Sequence, residues 1–218
     1  MAVAYGHAAS ASGIGTSLSF AHDATGDNIL LVAFAVRDDT GTATVTATYN
    51  GVSMTSAGLK RHTISDLDLY TFYLANPSSG SNTVSVGSAT TASNLVGLSI
   101  SLSGSAGTIG TVDIQEFLIG ITDFSVNVTL GANDMLVGFG TVFGGLGALA
   151  VTVGTERVEK TDGDNHVASG LTNTGTGSTP GTWSRSSSPA VAIGIPVNVA
   201  TGGGAVAVVP TLLTLGVG

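Results

Sequence analysis

Residues 26–36 read GDNILLVAFAV, and residues 131–142 read GANDMLVGFGTV. Each stretch begins with the Gly, Asn and Asp residues that favour a turn and continues as an unbroken apolar run, over 29–36 and 135–142. A short apolar run that is rich in Val, Leu and Phe is typical of a strand covered on both faces. We therefore predict that these two runs are central β-strands.

The rest of the chain also favours β-structure. Short runs of apolar and β-branched residues alternate with Gly, Ser, Asn and Asp clusters at intervals of about 8 to 12 residues, which is the spacing of an all-β sandwich or barrel. Residues 42–49 alternate Thr with apolar side chains, so one face of that strand is expected to be buried and the other wet. Strands are predicted near residues 15–20, 28–36, 43–49, 68–74, 82–87, 94–102, 112–118, 124–129, 134–142, 149–153, 181–185 and 190–198.

The two opening stretches also indicate an internal repeat. At an offset of 105 residues, five identical residues align: Gly26, Asn28, Leu31, Val32 and Phe34 with Gly131, Asn133, Leu136, Val137 and Phe139. Each half then continues with a Val-Thr strand, a charged segment, a Gly/Ser/Pro turn and two further strands. Chance identity is the alternative in a chain with so few residue types.

The repeat predicts the domain organisation. We expect an all-β, jelly-roll-like antiparallel β-sandwich over residues 1–200, with an internal two-fold sequence repeat whose halves span about 12–104 and 111–200. The connection over 103–110 is short and still apolar at Ile109, which favours one continuous domain over two tandem modules.

Charge and composition exclude several classes of protein. The 218 residues include 6 Lys and Arg against 14 Asp and Glu, for a net charge of −8, and the few cations are scattered, so no basic stripe is available for nucleic acid. The chain has no cysteine, hence no disulfide or thiolate metal site. The N-terminal residues lack the cationic and apolar regions of a secretion signal, and no apolar stretch is long enough for a membrane span.

No catalytic motif stands out. The four histidines, at positions 7, 22, 62 and 166, lack metal-ligand spacing, and GxSxG does not occur. Asp66 and Asp68 lie at strand spacing, where a solvated sheet face is the simpler explanation for both carboxylates. Two acidic turns offer oxygen ligands for calcium, although the same residues suit turns by themselves. The calcium candidates are Asp23, Asp27, Asp162 and Asp164. No other cofactor is expected.

The composition changes after Ala200. Residues 201–204 read TGGG, a flexible tether, and residues 205–218 read AVAVVPTLLTLGVG, which is apolar and uncharged. We predict an arm that packs on a neighbouring subunit, because a free apolar strand is an aggregation hazard. The alternative is a last strand folded back on its own sandwich. The predicted contact residues are Val206, Val208, Val209, Leu212, Leu213, Leu215 and Val217.

Two turn motifs carry a resemblance to a known group of proteins. Residues 48–55 read TYNGVSMT and residues 74–81 read LANPSSGS, so one strand ends in Tyr-Asn-Gly and a later one runs into Asn-Pro-x-x-Gly. With the Trp183 strand and the apolar strand at 190–199, this pattern resembles large jelly-roll β-sandwich modules of bacteriophage virion proteins and bacterial surface proteins. The group includes capsid decoration, adhesion and sugar-binding modules, so the resemblance implies architecture more than activity.

These observations favour a structural role over an enzymatic one. We expect a virion protein, a capsid decoration or surface protein made in the host cytoplasm, that binds a major capsid or other virion protein and itself, as a trimer. The reason is an apolar content that exceeds what one core can hide. The alternative is a carbohydrate-binding or adhesion module that uses calcium at loop tips and exposed aromatic side chains. The candidate aromatics are Tyr49, Tyr70, Tyr73 and Trp183.

Overall fold

A computed structural model describes residues 1–37, 44–63, 65–118, 122–144, 149–162, 166–185 and 188–200, with the side chains of 88–93 outside the description. This part of the chain forms antiparallel sheets and no helix, and strands make up 77% of the described residues. The prediction of an all-β antiparallel sandwich is therefore confirmed. No helix that is long and apolar enough to cross a membrane occurs among these residues.

The strands follow one another along the chain as β1 (Ala4–Asp23), β2 (Ile29–Arg37), β3 (Val45–Tyr49), β4 (Val52–Ser53), β5 (Thr55–Arg61), β6 (Leu67–Ala75), β7 (Ser81–Ser103), β8 (Ser105–Ile109), β9 (Asp113–Phe117), β10 (Asp123–Leu130), β11 (Met135–Phe143), β12 (Ala150–Val153), β13 (Thr155–Thr161), β14 (His166–Thr174), β15 (Gly177–Ser184) and β16 (Ala190–Val199).

A long two-stranded ribbon organises the first half. Strands β1 and β7 pair from Ala4 with Ser103 at one end to Asp23 with Ser81 at the other. On its second edge, β7 pairs first with β3 and then with β2, so the ribbon takes part in two layers. The sheet order is β4-β3-β7-β2-β6-β5. The inner layer is β5-β6-β2 with one half of the ribbon, and the outer layer is β4-β3 with the other half.

The second half repeats this arrangement in separate sheets. Its inner sheet has the order β13-β14-β11-β16-β8, with β9 also paired to β16, and its outer sheet is β10-β15-β12. The edge strands β5 and β13 even carry a bulge at the same place, between Ser56 and Gly58 and between Glu156 and Val158. Strand order and bulge both indicate that the two halves have one topology.

Four sheet layers enclose three apolar clusters. Cluster A lies inside the first half and includes Leu30, Phe34 and Tyr49. Cluster B lies between the inner sheets of the two halves and includes Phe139. Cluster C lies inside the second half around Trp183. Strands β2 and β11 have a core on each face, which explains their unbroken apolar sequences and confirms that they are central strands.

The predicted alignment of the repeat is wrong by one residue. Ile29 begins β2 and Met135 begins β11, and both face cluster B, so equivalent positions are 106 residues apart. At the predicted offset, Leu31 of cluster B would correspond to Leu136, which lies in cluster C. Successive side chains on a strand point to opposite faces, so an error of one residue exchanges the two cores.

Several strands lie where the sequence predicts none. The charged segments at 55–61 and 155–161 are the edge strands β5 and β13, most of whose charged side chains are half-buried, and β14 occupies a segment left without a strand. The predicted strands at 82–87 and 94–102 are one strand, β7. Asp68 is not on a solvated face as expected: it is 3% exposed, and Tyr70 donates a hydrogen bond to it.

The apolar content is accounted for by the number of layers. One sandwich has one core, but the stacked halves share a third, cluster B, and this extra core takes up apolar side chains that were expected on the surface. Among the described residues, the large apolar side chains that remain exposed are scattered: Met1, Ile14, Val52, Leu59, Ile114, Leu118 and Val153. The described part of the body therefore conceals most of its large apolar side chains.

Candidate functional site

A chain of hydrogen-bonded polar side chains runs into the first half, beside cluster A. Ser99 and Ser101 lie on β7, on the face opposite Leu98 and Ile100, which belong to cluster B. His22 lies near the end of the neighbouring strand β1 and is 1% exposed, and both serines are fully buried. The sheet pairing therefore places three polar side chains in an otherwise apolar interior.

The contacts form a continuous path, named here the histidine path: Ser99, His22, Ser101, Asp27 and His7. The Nδ1 atom of His22 lies 2.8 Å from the Ser99 hydroxyl, and its Nε2 atom lies 2.9 Å from the Ser101 hydroxyl. Ser101 donates to Asp27 Oδ2 at 2.5 Å, and His7 Nδ1 contacts the same oxygen at 3.0 Å. A Cβ atom on Gly6 would overlap the Asp27 carboxylate, so a glycine is required there.

The hydrogen bonds fix where the protons lie. Because Ser101 gives its only hydrogen to Asp27, its oxygen accepts from His22, and Nε2 of His22 carries the proton. The Nδ1 atom of neutral His22 is then an acceptor for the Ser99 hydroxyl. Ser99 has a second acceptor, the Ala9 carbonyl oxygen at 3.3 Å, to which it can turn when Nδ1 is protonated.

Burial decides the charge of His22. Desolvation lowers the pKa of His22 from 6.5 to about 4, because a buried imidazolium loses its hydration, and the nearby Asp27 carboxylate only partly offsets this effect. His22 is therefore neutral at pH 7. The histidine path ends outside at His7, whose side chain is 41% exposed, so the buried ring is linked to solvent by side chains that exchange protons.

The histidine path does not have the geometry of a hydrolase. In a Ser-His-Asp triad the carboxylate orients the histidine and the serine is accessible to substrate. Here Asp27 bonds to Ser101, and both Ser101 and His22 are enclosed. What the arrangement can do is hold a neutral histidine in the interior and respond to acid, which links the stability of the first half to pH.

A second polar cluster lies at the other end of the inner strands, where Asn94 of β7 pairs with the last residue of β2. Asn94 Nδ2 donates to Asp162 Oδ2 at 2.7 Å, and the backbone N–H of His166 donates to Asp162 Oδ1 at 3.2 Å. Thr141 gives its hydrogen to the Val167 carbonyl oxygen, so it accepts from Nε2 of the fully buried His166. Asp162 thus joins β7 of the first half to β14 of the second.

The acidic turns predicted to bind calcium have other hydrogen-bond partners. Asp23 accepts from the backbone N–H and hydroxyl of Thr25, which hold the turn and lower the pKa of the Asp23 carboxyl. Asp27 belongs to the histidine path, and Asp162 accepts from Asn94 and His166. Asp164 lies outside the described residues. In the part of the chain that the structure describes, no group of three or more acidic or histidine residues is arranged to hold a metal ion.

The aromatic side chains proposed as a sugar platform are in the interior. Trp183 and Tyr49 are fully buried, and Tyr70 is 5% exposed. Tyr73 is half-buried against cluster B. Trp183 Nε1 donates to the Ser169 hydroxyl, and the Tyr49 hydroxyl donates to carbonyl oxygens such as that of Gly80. These four side chains therefore contribute to packing of the interior, as is common for large aromatic residues.

A charged latch connects the edges of the two halves. Glu116 on β9 accepts from Lys60 Nζ at 2.7 Å and from the backbone N–H of Thr63 at 2.6 Å, both in the first half. Burial alone would raise the pKa of the Glu116 carboxyl, but these donors and the Thr63 hydroxyl outweigh it and bring the pKa from 4.5 to about 2. Beside the latch, His62 Nε2 lies 3.1 Å from the carbonyl oxygen of Phe117, the residue that follows Glu116.

We expect Glu116→Gln to destabilise the protein by about 1–2 kcal/mol at pH 7, since a partly exposed ion pair contributes less than its pKa shift suggests. The folded-state pKa of Glu116 is depressed, so its contribution is complete above pH 4.5 and is lost as the pH falls toward 2. Urea unfolding at pH 7 and pH 3 measures this, with Lys60→Met as the matched variant that keeps the apolar stem. Equal stability of Glu116→Gln and the unchanged protein at pH 7 would contradict the latch.

Comparisons with protein-family models, with curated proteins and with solved structures find no match to this chain.

The histidine path has almost no signal in the sequence. His22 and Ser101 are 79 residues apart, and only the register of β1 on β7 brings them together. One signal was available: Ser99 and Ser101 interrupt an apolar strand at alternate positions, which indicates two hydroxyls on one face that must find partners if that face is buried.

Proposed function

We propose that the protein is a structural component of a virion, a capsid decoration or surface protein, that associates with copies of itself and docks on a shell protein through residues 201–218. The supporting observation is a contrast in apolar surface. Most large apolar side chains of the described body lie in three cores, whereas residues 201–218 contain seven Val and Leu residues and no charge. An apolar segment of this kind gains most by burial on a protein surface.

The point at which the segment leaves the body is fixed. Val199 at the end of β16 donates its backbone N–H to Asp134 Oδ1 at 2.8 Å, and Ala200 donates to the Gly104 carbonyl oxygen at 2.9 Å. Gly104 lies between β7 and β8, where the two halves join. The residues that follow read TGGG, and in our proposal this glycine-rich sequence acts as the hinge of the arm. The predicted arm contacts, Val206 to Val217, lie outside the described residues and stay a prediction.

The proposal contains no catalytic step. His22, Ser99 and Ser101 are buried, and the Asp27 carboxylate contacts Ser101 and His7. These side chains therefore stabilise the interior of the first half. A decoration protein needs a stable body, a polar outer surface and a docking element, and a body of stacked sandwiches with a separate apolar segment provides these parts.

We expect the full chain to form an oligomer, a trimer in our proposal, and a Leu212→Asp/Leu213→Asp variant to be monomeric. A charge cannot be buried cheaply in an apolar contact, so two of them should abolish association. Sedimentation velocity across a concentration series measures the mass of each form. The matched control is Thr214→Asp with Thr211→Asp, which adds the same charges without removing leucine and should weaken association less.

Two results would refute this proposal. A full chain that is monomeric at every concentration removes the self-association, and an unchanged oligomer in the Leu212→Asp/Leu213→Asp variant removes the role of the segment. Far-UV circular dichroism of each variant establishes that the body is folded. Docking is tested separately, by whether the protein co-sediments with particles of the virus whose genome encodes it, and its absence from those particles would contradict a virion role.

A further inference from the structure

A polar groove lies beside the free edge of β10, away from the histidine path. Its volume is about 420 Å³, which is within the range of small-molecule sites, and it lies between the start of β9 and the outer sheet of the second half. It is lined by Thr111, Val112, Asp113, Asn127, Val128 and Thr129. Strand β10 is at the edge of the sheet β10-β15-β12, so backbone groups of β10 also face the groove.

One carboxylate fixes the geometry of the groove. Asp113 Oδ2 accepts from the backbone N–H of Asn127 at 2.6 Å, and Oδ1 accepts from Gln115 Nε2 at 2.6 Å. The N–H of Asn127 therefore points away from β15 and toward the groove. Antiparallel pairing repeats every second residue, so the N–H and carbonyl of Thr129 point the same way.

Several polar groups of the groove keep unused hydrogen-bonding capacity. The Oδ1 atom of Asn127 accepts from the Ser178 hydroxyl, which leaves the two hydrogens of Nδ2 to point elsewhere. Each oxygen of Asp113 already accepts one hydrogen bond and has room for another. The hydroxyls of Thr111 and Thr129 can both donate and accept. Donors and acceptors thus line the same groove, with the half-buried Val112 as its apolar part, since Val128 is 3% exposed and belongs to cluster C.

This mixture of groups selects among ligands. An anion is disfavoured by the Asp113 carboxylate and by a protein of net charge −8. Calcium is disfavoured because the groove has a single carboxylate and because N–H groups, which repel a cation, face into it. An added peptide strand is blocked, since Asp113 occupies the Asn127 N–H that such a strand would need. A neutral ligand with adjacent hydroxyls matches both the donors and the acceptors.

We propose that this groove binds a neutral polyhydroxylated ligand, about one sugar ring in size. Hydroxyl pairs of the ring bond to Asp113, Asn127 and the Thr129 edge, and its C–H face lies on the half-buried Val112. The site is independent of the proposed structural role and of residues 201–218. The ring is either a free sugar or the terminal unit of a glycan, and both have the same recognition chemistry.

The test is an amide chemical-shift titration of the ¹⁵N-labelled full chain with the methyl glycosides of glucose, galactose and mannose. We expect shifts confined to residues 111–113 and 127–129 for at least one of them. Thr129→Val removes one hydroxyl at constant shape and should weaken binding about 3- to 10-fold, the value of one hydrogen bond. Thr55→Val, which changes another exposed threonine on a strand, is the matched control and should bind unchanged.

Further titrations distinguish a free sugar from the terminal unit of a glycan. Oligosaccharides that end in the bound sugar should bind at least as well as the methyl glycoside if the source is a glycan, and more weakly if the groove takes only free sugars. The proposal is overturned if no glycoside shifts these amides, if Thr129→Val binds as tightly as the unchanged protein, or if calcium chloride alone produces the same shifts. The spectrum of each variant shows directly whether it is folded.

Discussion

Trp183→Ala should lower the free energy of unfolding by about 3–5 kcal/mol, the range for loss of a large aromatic from a packed core. Trp183 is fully buried in cluster C, it stacks on Phe124 with ring centroids 5.3 Å apart, and Nε1 donates to the Ser169 hydroxyl. Its ring is packed against β11 at Gly140, where an added Cβ would lie 3.1 Å from the indole. Removal of the indole therefore leaves a cavity that the neighbouring strands cannot fill.

Two further variants test this packing. Trp183→Phe keeps an aromatic ring on Phe124 but loses the bond to Ser169, and should cost about 1–2 kcal/mol. Gly140→Ala should be destabilising in the unchanged protein by about 1–3 kcal/mol, because the new Cβ would lie 2.9 Å from the Phe124 ring, and less so in the Trp183→Ala background. Because the chain has a single tryptophan, urea unfolding must be followed by circular dichroism. A loss below about 1 kcal/mol for Trp183→Ala would contradict the packing of cluster C.

Acid should weaken the protein through His22. The pKa of His22 is about 4 in the folded state and 6.5 when solvated, so the unfolded chain binds the proton more readily. Stability is therefore complete above pH 6.5 and falls as the pH is lowered to 4, by about 3 kcal/mol from this residue. The Glu116 latch is lost in the adjoining window below pH 4.5, so the two groups together predict a continuous decline.

His22→Gln identifies the source of the first decline. The glutamine amide can donate to Ser101 but does not titrate, so the loss of stability between pH 6.5 and 4 should become much smaller. His7→Gln, which changes the half-exposed end of the same path, should keep most of that loss. Unfolding free energies from urea titrations at several pH values between 7 and 4 give the comparison. An unchanged slope in His22→Gln would show that another group carries the pH dependence.

The parts of the fold that the sequence predicts are those with a strong apolar signal. The runs at 29–36 and 135–142 are central strands because both faces are buried, and Trp183 is in a core. The strand β7 is divided in the prediction because residues 88–93 read SATTAS, small and polar residues that indicate a turn. Pairing along the whole of β1 keeps this stretch in the sheet.

The remaining features depend on distant contacts. Lys60, Arg61 and Glu156 make β5 and β13 resemble loops, since an edge strand with a solvated face needs little apolar sequence. The repeat could be recognised from the sequence. Its predicted offset is wrong by one residue because β2 and β11 carry similar apolar side chains on both faces, so the sequence does not show which face a residue belongs to. The histidine path and the polar groove are made by side chains from separate strands, and their proximity follows from register alone.

The β1–β7 ribbon sets the order in which the chain can acquire its shape during synthesis. Ala4 pairs with Ser103, so the first half cannot close its sheet until about a hundred residues have emerged from the ribosome. Until then, neither face of β2 is covered, and this apolar strand is exposed to aggregation. The second half likewise pairs its first strand with its last, with Ser105 opposite Val199, so it closes only when its own C-terminal strand is available. We therefore expect the first half to become resistant to protease only in nascent chains long enough for Ser103 to have emerged from the ribosome. The folded β2, β6 and β7 then form a surface on which the second half assembles.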